Sequence, residues 1–324
     1  MHPLKNILLS LLALLGFILI GLRHLPADWA GCFIFLTLCA APFVVLLAVV
    51  EIVLLLCTKS RWRWLMGLIL IGCIYILGNH WIRPHDAGTT SSRSLRVLSW
   101  NVTNFHIHPD TLQKAATFIR NLQPDIICLQ ERPHENLISW EAIQAAFPEY
   151  AYSVRNEERE DEVLNLAILS KYPLDKQVET YYPDTYNKSM AVDVSIPDDT
   201  FRLFNTHLQT TDHVFTRFIE NAQRRNTQAD SLKTAIRSAG KPTLICGDFN
   251  DTPCSYTYRT LAYGMQDAFT TAGEEWTGSF QPMGRWLRID YILCSKHWQI
   301  QHYQLMENPW SDHKMQLATL NYRE

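Results

Sequence analysis

The chain holds eight cysteines but no C-x-x-C pair and no Cys/His spacing suited to a metal site, which sets aside the cysteine-based metal modules. It has no glycine-rich phosphate loop of either nucleotide-binding type. Internal repeats and low-complexity tracts are absent as well. Nor is there a basic excess. The net charge is −3 over 324 residues, and from Arg83 onward 24 Lys and Arg face 30 Asp and Glu, a net of −6. Such a domain lacks the overall electrostatic footprint of a tight duplex binder, although a local basic groove stays open. Cys32, Cys39, Cys57 and Cys73 fall near the N-terminus, Cys128, Cys246 and Cys294 lie in apolar strand-like runs, and Cys254 follows a turn. Buried spectator thiols account for this pattern, with a disulfide at Cys254 left open.

What the chain does have is three long apolar runs near its start. Ile7–Leu22 and Ala30–Val50 carry no charged side chain, and Trp64–Ile82 has none beyond His80. At ~1.5 Å per residue such runs cross, or nearly cross, a hydrocarbon layer of ~30 Å. A cleaved signal peptide would explain only the first, and soluble core helices would be striped rather than apolar all round. Three transmembrane helices are therefore expected, at about 7–22, 30–50 and 64–82, within a membrane anchor spanning 1–83. Lys59, Arg61 and Arg63 place the second loop in the cytoplasm, which sends the chain after Ile82 to the extracytoplasmic side of an inner membrane. Arg83 runs against that orientation. The lipid bilayer is the one partner that the anchor implies, and no protein partner is inferable. Residues 84–94 read as a polar linker, and 95–324 as the catalytic domain.

In that domain short apolar strands alternate with amphipathic helices. Strands are expected at Leu95–Trp100, Asp125–Gln130, Leu164–Ser170, Met190–Ile196, Phe201–His207, Thr243–Cys246, Arg288–Leu293, Trp298–Met306 and Lys314–Leu320. Helices are expected at Asp110–Leu122 and Val214–Ala239. This mixture predicts a layered α/β sandwich.

Polar residues recur at the ends of these strands: Asn101, Glu131, His207, Asp248 with Asn250, Asp290, and Asp312-His313. Gathered at one rim, they would supply hard oxygen ligands for Mg²⁺, a group to orient water, and donors for a phosphate. Each alone is unremarkable: a lone Asn is usually a turn or cap, and a lone Asp-His pair a surface accident.

The ordered set Ser99–Val102 (SWNV), Leu129–Glu131 (LQE), Ala167–Leu174 (AILSKYPL), Thr206–Leu208 (THL), Arg225–Gln228, Gly247–Pro253 (GDFNDTP), Arg288–Leu293 (RIDYIL) and Ser311–Lys314 (SDHK) resembles the endonuclease/exonuclease/phosphatase superfamily. The resemblance covers 95–320. It implies a DNase I-like four-layer α/β/β/α sandwich and a Mg²⁺-dependent phosphoesterase, with Mn²⁺ as a substitute ion. It also implies that Glu131 is the main metal ligand with Asn101 and Asp312 beside it, and that Asp248 orients the attacking water. Asn250 and His207 would contact the phosphate, and Asp290 would hold His313 as a cation next to phosphorus. The chain departs from the DNA-repair branch at Thr103, where an Asp is usual, and at His207, where a Tyr is usual. Ile289-Asp290-Tyr291 replaces the Cys-Asp-Arg of the inositol polyphosphate phosphatases. The substrate is thus expected to be a phosphodiester, in nucleic acid or a lipid head group. Sphingomyelin-type, inositol-phosphate and catalytically inactive membrane-module readings stand as alternatives. Two aromatic clusters (Tyr181, Tyr182, Tyr186; Trp276, Phe280, Trp286) could stack on bases or meet a bilayer, and Glu157–Glu162 reads as a solvated acidic loop.

Overall fold

Ser94 opens the first strand, β1 (Ser94–Asn101), and from it the chain builds two six-stranded mixed sheets. A computed structural model describes residues 94–323 apart from 108, 159–163, 184, 198, 212–214, 276 and 283–286, together with isolated helical positions between 49 and 74. Apart from those positions and Ser94, the expected spans at 7–22, 30–50 and 64–82 and the linker at 84–94 lie outside the described residues. Among the described residues no helix is long and apolar enough to cross a membrane.

The first sheet runs β11 (Trp298–Met306), β12 (Met315–Tyr322), β1, β2 (Ile126–Arg132), β4 (Asn165–Ser170), β3 (Tyr152–Arg155). The second runs β5 (Leu174–Tyr181), β6 (Lys188–Ile196), β7 (Asp199–His207), β8 (Thr243–Asp248), β10 (Asp290–Cys294), β9 (Gln266–Asp267). Only β1/β2 and β7/β8 pair in parallel; the other ladders are antiparallel.

Strand periodicity divides the apolar side chains among three buried layers. Leu95, Val97, Ile126 and Cys128 from the first sheet meet Val192, Leu203, Cys246 and Ile292 from the second. On the outer face of the first sheet, Leu98, Trp100, Ile127 and Leu129 are covered by α1 (Pro109–Leu122) and α2 (Trp140–Ala146). On the outer face of the second, Phe204, Ile245 and Leu293 lie under Leu232 and Ile236 of α3 (Phe215–Ser238) and Leu261 of α4 (Tyr256–Ala262). The layers are therefore α/β/β/α. A last short helix, α5 (Ala268–Ala272), is N-capped by Asp267. Cys128, Cys246, Cys254 and Cys294 are all buried, as spectator thiols should be.

Candidate active site

The same two-residue period that faces Leu95 and Val97 inward carries Ser99 and Asn101 onto the inter-sheet face. His207, Asp248 and Asp290 likewise continue the inward sets of β7, β8 and β10. All five polar residues are buried, and the C-terminal ends of β1, β2, β7 and β8 together with the start of β10 bring them to one rim. Glu131 would by simple alternation face the other way. A register shift between Leu129 and Arg132 in the β2/β4 ladder, with Glu131 itself at φ +52°, turns its carboxylate into the cleft.

Asn101 links the acids. Its Nδ2 donates to Glu131 Oε1 at 2.9 Å and to Asp248 Oδ2 at 3.0 Å, while its Oδ1 accepts from the Thr103 N–H at 3.0 Å. The amide thus draws two carboxylates together, with its own oxygen turned to the backbone. Asn250, also left-handed at φ +52°, donates its backbone N–H to Asp248 Oδ1 at 2.7 Å. Its side-chain amide reaches Leu208 O at 2.9 Å and His207 Nε2 at 3.1 Å. That tight return needs Gly247, at φ +143°, where an added Cβ would lie 1.9 Å from Thr206 O.

Across the cleft His313 Nδ1 lies 2.9 Å from Asp290 Oδ2, and its Nε2 lies 3.7 Å from Asp248 Oδ2. Ser279 Oγ accepts the backbone N–H of Asp290, and Trp100 Nε1 and Asn308 Nδ2 both donate to His313 O. Burial alone would lower the imidazole, but the Asp290 and Asp248 carboxylates outweigh it and raise His313 to about 10. Burial, reinforced by Asp290, raises the Asp248 carboxyl to about 8 despite the nearby His313. His207 is pushed the other way, lowered by burial in spite of Glu131. The two histidines are therefore unlike: one a held cation, the other a neutral ring.

Two ligand groups that share the Asp248 carboxylate suit a small hard cation. Glu131, His207 and Asp248 present ligand atoms within 4.8 Å of one another, as do Asp248, Asp290 and His313. A buried carboxyl driven toward neutrality in such a group is what an added positive charge would relieve. Asp312 stands at the edge, its Oδ1 2.6 Å from Thr103 Oγ1 and 4.0 Å from His313 Nε2. All eight predicted site residues thus gather at one rim, with Asp312 outside both ligand groups.

Several residues around the site carry no sequence signal of their own. Gln130 and Asn205 join beneath it at 2.7 Å, and Asn205 also donates to Leu129 O and Ala167 O, which bridges the two sheets. Lys188 faces His207 across the β6/β7 ladder, is buried, and donates to Leu164 O. The Arg225–Gln228 motif proves to be a clamp. Arg225 donates to Asp251 Oδ2 at 3.0 Å and Gln209 O at 2.8 Å, and Gln228 Oε1 accepts from Gln209 N. It thereby ties α3 to the loops after His207 and after Asn250.

Two expectations need correction. Glu158, placed in a solvated acidic loop by the sequence, folds inward to pair with buried Arg132, Arg155 and His134 and to accept the Glu135 N–H. Of the tyrosine cluster, Tyr182 is buried and bonds Ser189, so only Tyr186 is widely exposed. Phe280 does lie at the rim, its ring 5.0 Å from that of His313; Trp276 and Trp286 fall outside the described residues.

Residues 98–313 match the Endonuclease/Exonuclease/phosphatase family, and the chain belongs to that family. Its members are hydrolases of phosphoester bonds that depend on a divalent metal. Similar solved structures include an endonuclease/exonuclease/phosphatase from Bacteroides vulgatus (TM-score 0.57, 20% identity, 71% of this chain and 99% of that one). They also include TDP2 from Caenorhabditis elegans (0.58, 20%, 72% and 76%) and the human Nocturnin catalytic domain (0.57, 19%, 72% and 96%). At these identities the likeness is one of fold. Among curated protein sequences none matches.

Proposed function

We propose that this chain is a membrane-anchored phosphoesterase that hydrolyses a phosphodiester bond by in-line attack of water, with Mg²⁺ or Mn²⁺ as its cofactor. One observation carries the reading: a His313 cation, a neutral His207, an amide from Asn250 and a cluster of three carboxylates meet at one rim. Glu131 would hold the metal with Asn101 and Asp312 nearby, and a bound ion would polarise the phosphate oxygens and stabilise the charge that develops on them.

The protein's own residues account for the rest. Asp248, in its carboxylate form, orients the attacking water and takes its proton. Asn250 and His207 position a non-bridging oxygen. His313, fixed by Asp290, sets a positive charge beside the phosphorus, so catalysis is positioning plus preorganised electrostatics. All the strand-end acids are present, which weighs against an inactive module.

The anchor rests on the three apolar runs. It is supported by large apolar side chains that stand exposed at described positions before the domain, such as Leu56 (82%) and Trp64 (84%). The charged loop at 59–63 gives the extracytoplasmic orientation of the domain in an inner membrane.

The detergent-solubilised full chain should hydrolyse bis(4-nitrophenyl) phosphate with Mg²⁺ and lose that activity in EDTA. Glu131→Gln should cut turnover at least ~10²-fold, because an amide lacks the ligand charge that Mg²⁺ demands. Equal rates for the two proteins would overturn the proposal. A reporter fused after Glu324 that works only in the cytoplasm would reverse the orientation.

A further inference from the structure

The position of Ser94 bears on which phosphodiesters can reach the site. β1 enters the domain at Ser94 and delivers Asn101 to the catalytic rim, so the chain arrives at the end of the sandwich opposite the cleft. The same basal end holds the pairing of Ser94 with Asn321, the start of β8 at Thr243 and the turn at Ser295–His297. Entry point and rim are separated by seven strand rises, about 23 Å.

Resting on the membrane-anchored reading, only residues 83–93 join the last apolar run to Ser94. A chain of eleven residues would reach ~36 Å fully extended, and a flexible chain of that length averages about 18 Å end to end. For the cleft to face the anchoring bilayer the domain would have to invert. Ser94 would then stand more than the length of β1 above the lipid, beyond the ordinary span of its tether.

We infer that the catalytic cleft opens away from the bilayer that anchors the chain, and that its substrate is a water-soluble phosphodiester rather than a lipid head group of the same membrane. Phe280, half-buried against His313, gives such a substrate a ring on which an aromatic leaving group or base can lie.

Two measurements on the full chain in vesicles of phosphatidylglycerol and phosphatidylcholine test this. The first is energy transfer to a head-group acceptor lipid from a dye on Lys296→Cys at the base or Tyr186→Cys at the rim, with Cys32, Cys39, Cys57 and Cys73 replaced by Ser. Both positions are exposed. Transfer should be strong from 296 and several-fold weaker from 186; the reverse order overturns the inference.

The second compares substrates with Mg²⁺ present. Bis(4-nitrophenyl) phosphate should be cleaved equally fast in vesicles and detergent. Sphingomyelin or phosphatidylinositol in the chain's own bilayer should turn over at less than one-tenth of that rate. Faster hydrolysis of the lipid overturns the inference. No hydrolysis of any substrate overturns the phosphoesterase reading, and release of the chain by alkaline wash overturns the anchor; either takes this inference with it.

Discussion

His313 Nδ1 and Asp290 Oδ2 lie 2.9 Å apart, 23 residues from each other in sequence and both buried. The carboxylate comes from the first residue of β10 and the imidazole from the loop before β12, so strands of different sheets each contribute one partner. A carboxylate that keeps a histidine charged and aimed makes the pair one functional unit. Asp290→Asn, His313→Ala and the double variant should therefore lose similar activity, each on the order of 10²–10⁴-fold in kcat/KM. Because Asp290 helps to raise His313 to about 10, Asp290→Asn should move the alkaline limb of the pH profile downward. Losses that multiply, with an unmoved limb, would show the two acting separately.

A second expectation concerns stability without metal. His313 is raised above its ordinary 6.5, so its contribution is full below that value and is lost as pH rises through about 10. Asp248 is raised from 3.8 to about 8, so folding favours its neutral form and the folded state loses ground as pH climbs between those values. Both act in one direction. In EDTA the protein should melt at a lower temperature at pH 9 than at pH 6, and Mg²⁺ should raise Tm more at pH 9. Calorimetry that found the Mg²⁺ shift equal at both values would contradict this coupling.

Arg132 and Glu158 provide a third test. Arg132 directly follows Glu131 and its side chain is fully buried against Glu158. Glu158→Ala leaves that guanidinium undercompensated, at a cost on the order of 3 kcal/mol. Arg132→Met combined with Glu158→Leu should recover most of the stability in urea titrations. The Mg²⁺ needed for half-maximal activity should nevertheless stay raised in the double variant, because the backbone that turns Glu131 inward is no longer braced.

Gly247 offers a backbone test. With φ at +143° and Thr206 O only 1.9 Å from a would-be Cβ, Gly247→Ala should destabilise the domain by ~2 kcal/mol or more. It should also displace Asp248 and Asn250. A variant with wild-type Tm and kcat would mean that the turn relaxes freely.

Much of this arrangement is legible in the sequence. Strands such as Trp298–Met306 announce themselves because the apolar positions Trp298, Ile300, Tyr303 and Leu305 are the buried ones, although a bulge buries the polar Gln301 between them, and the ends of α3 differ by one residue from its apolar pattern. β5 does not, because it is an edge strand whose middle is solvent-exposed and offers no apolar period. The short β3 and α2 fail for want of length. At the site, the strand-end residues could be read as a set, but which neighbour each would touch could not. The turning of Glu131 through a bulge, the bridging amide of Asn101 and the inward fold of Glu158 all depend on contacts between segments far apart in the chain. Local pattern carries no information about those contacts.

The order of strands in the first sheet has a consequence for biogenesis. β1, the first strand made, is central and lies between β2 and β12, the last. Until Met315–Tyr322 has left the ribosome, one edge of β1 has no partner, and Asp290 has no His313 to hold. Long-range closure of this kind is slow and leaves an open strand edge in the meantime. The nascent domain is thus prone to mispairing until β12 arrives, which makes removal of Met315–Tyr322 a defect of folding even though His313 itself remains in the chain.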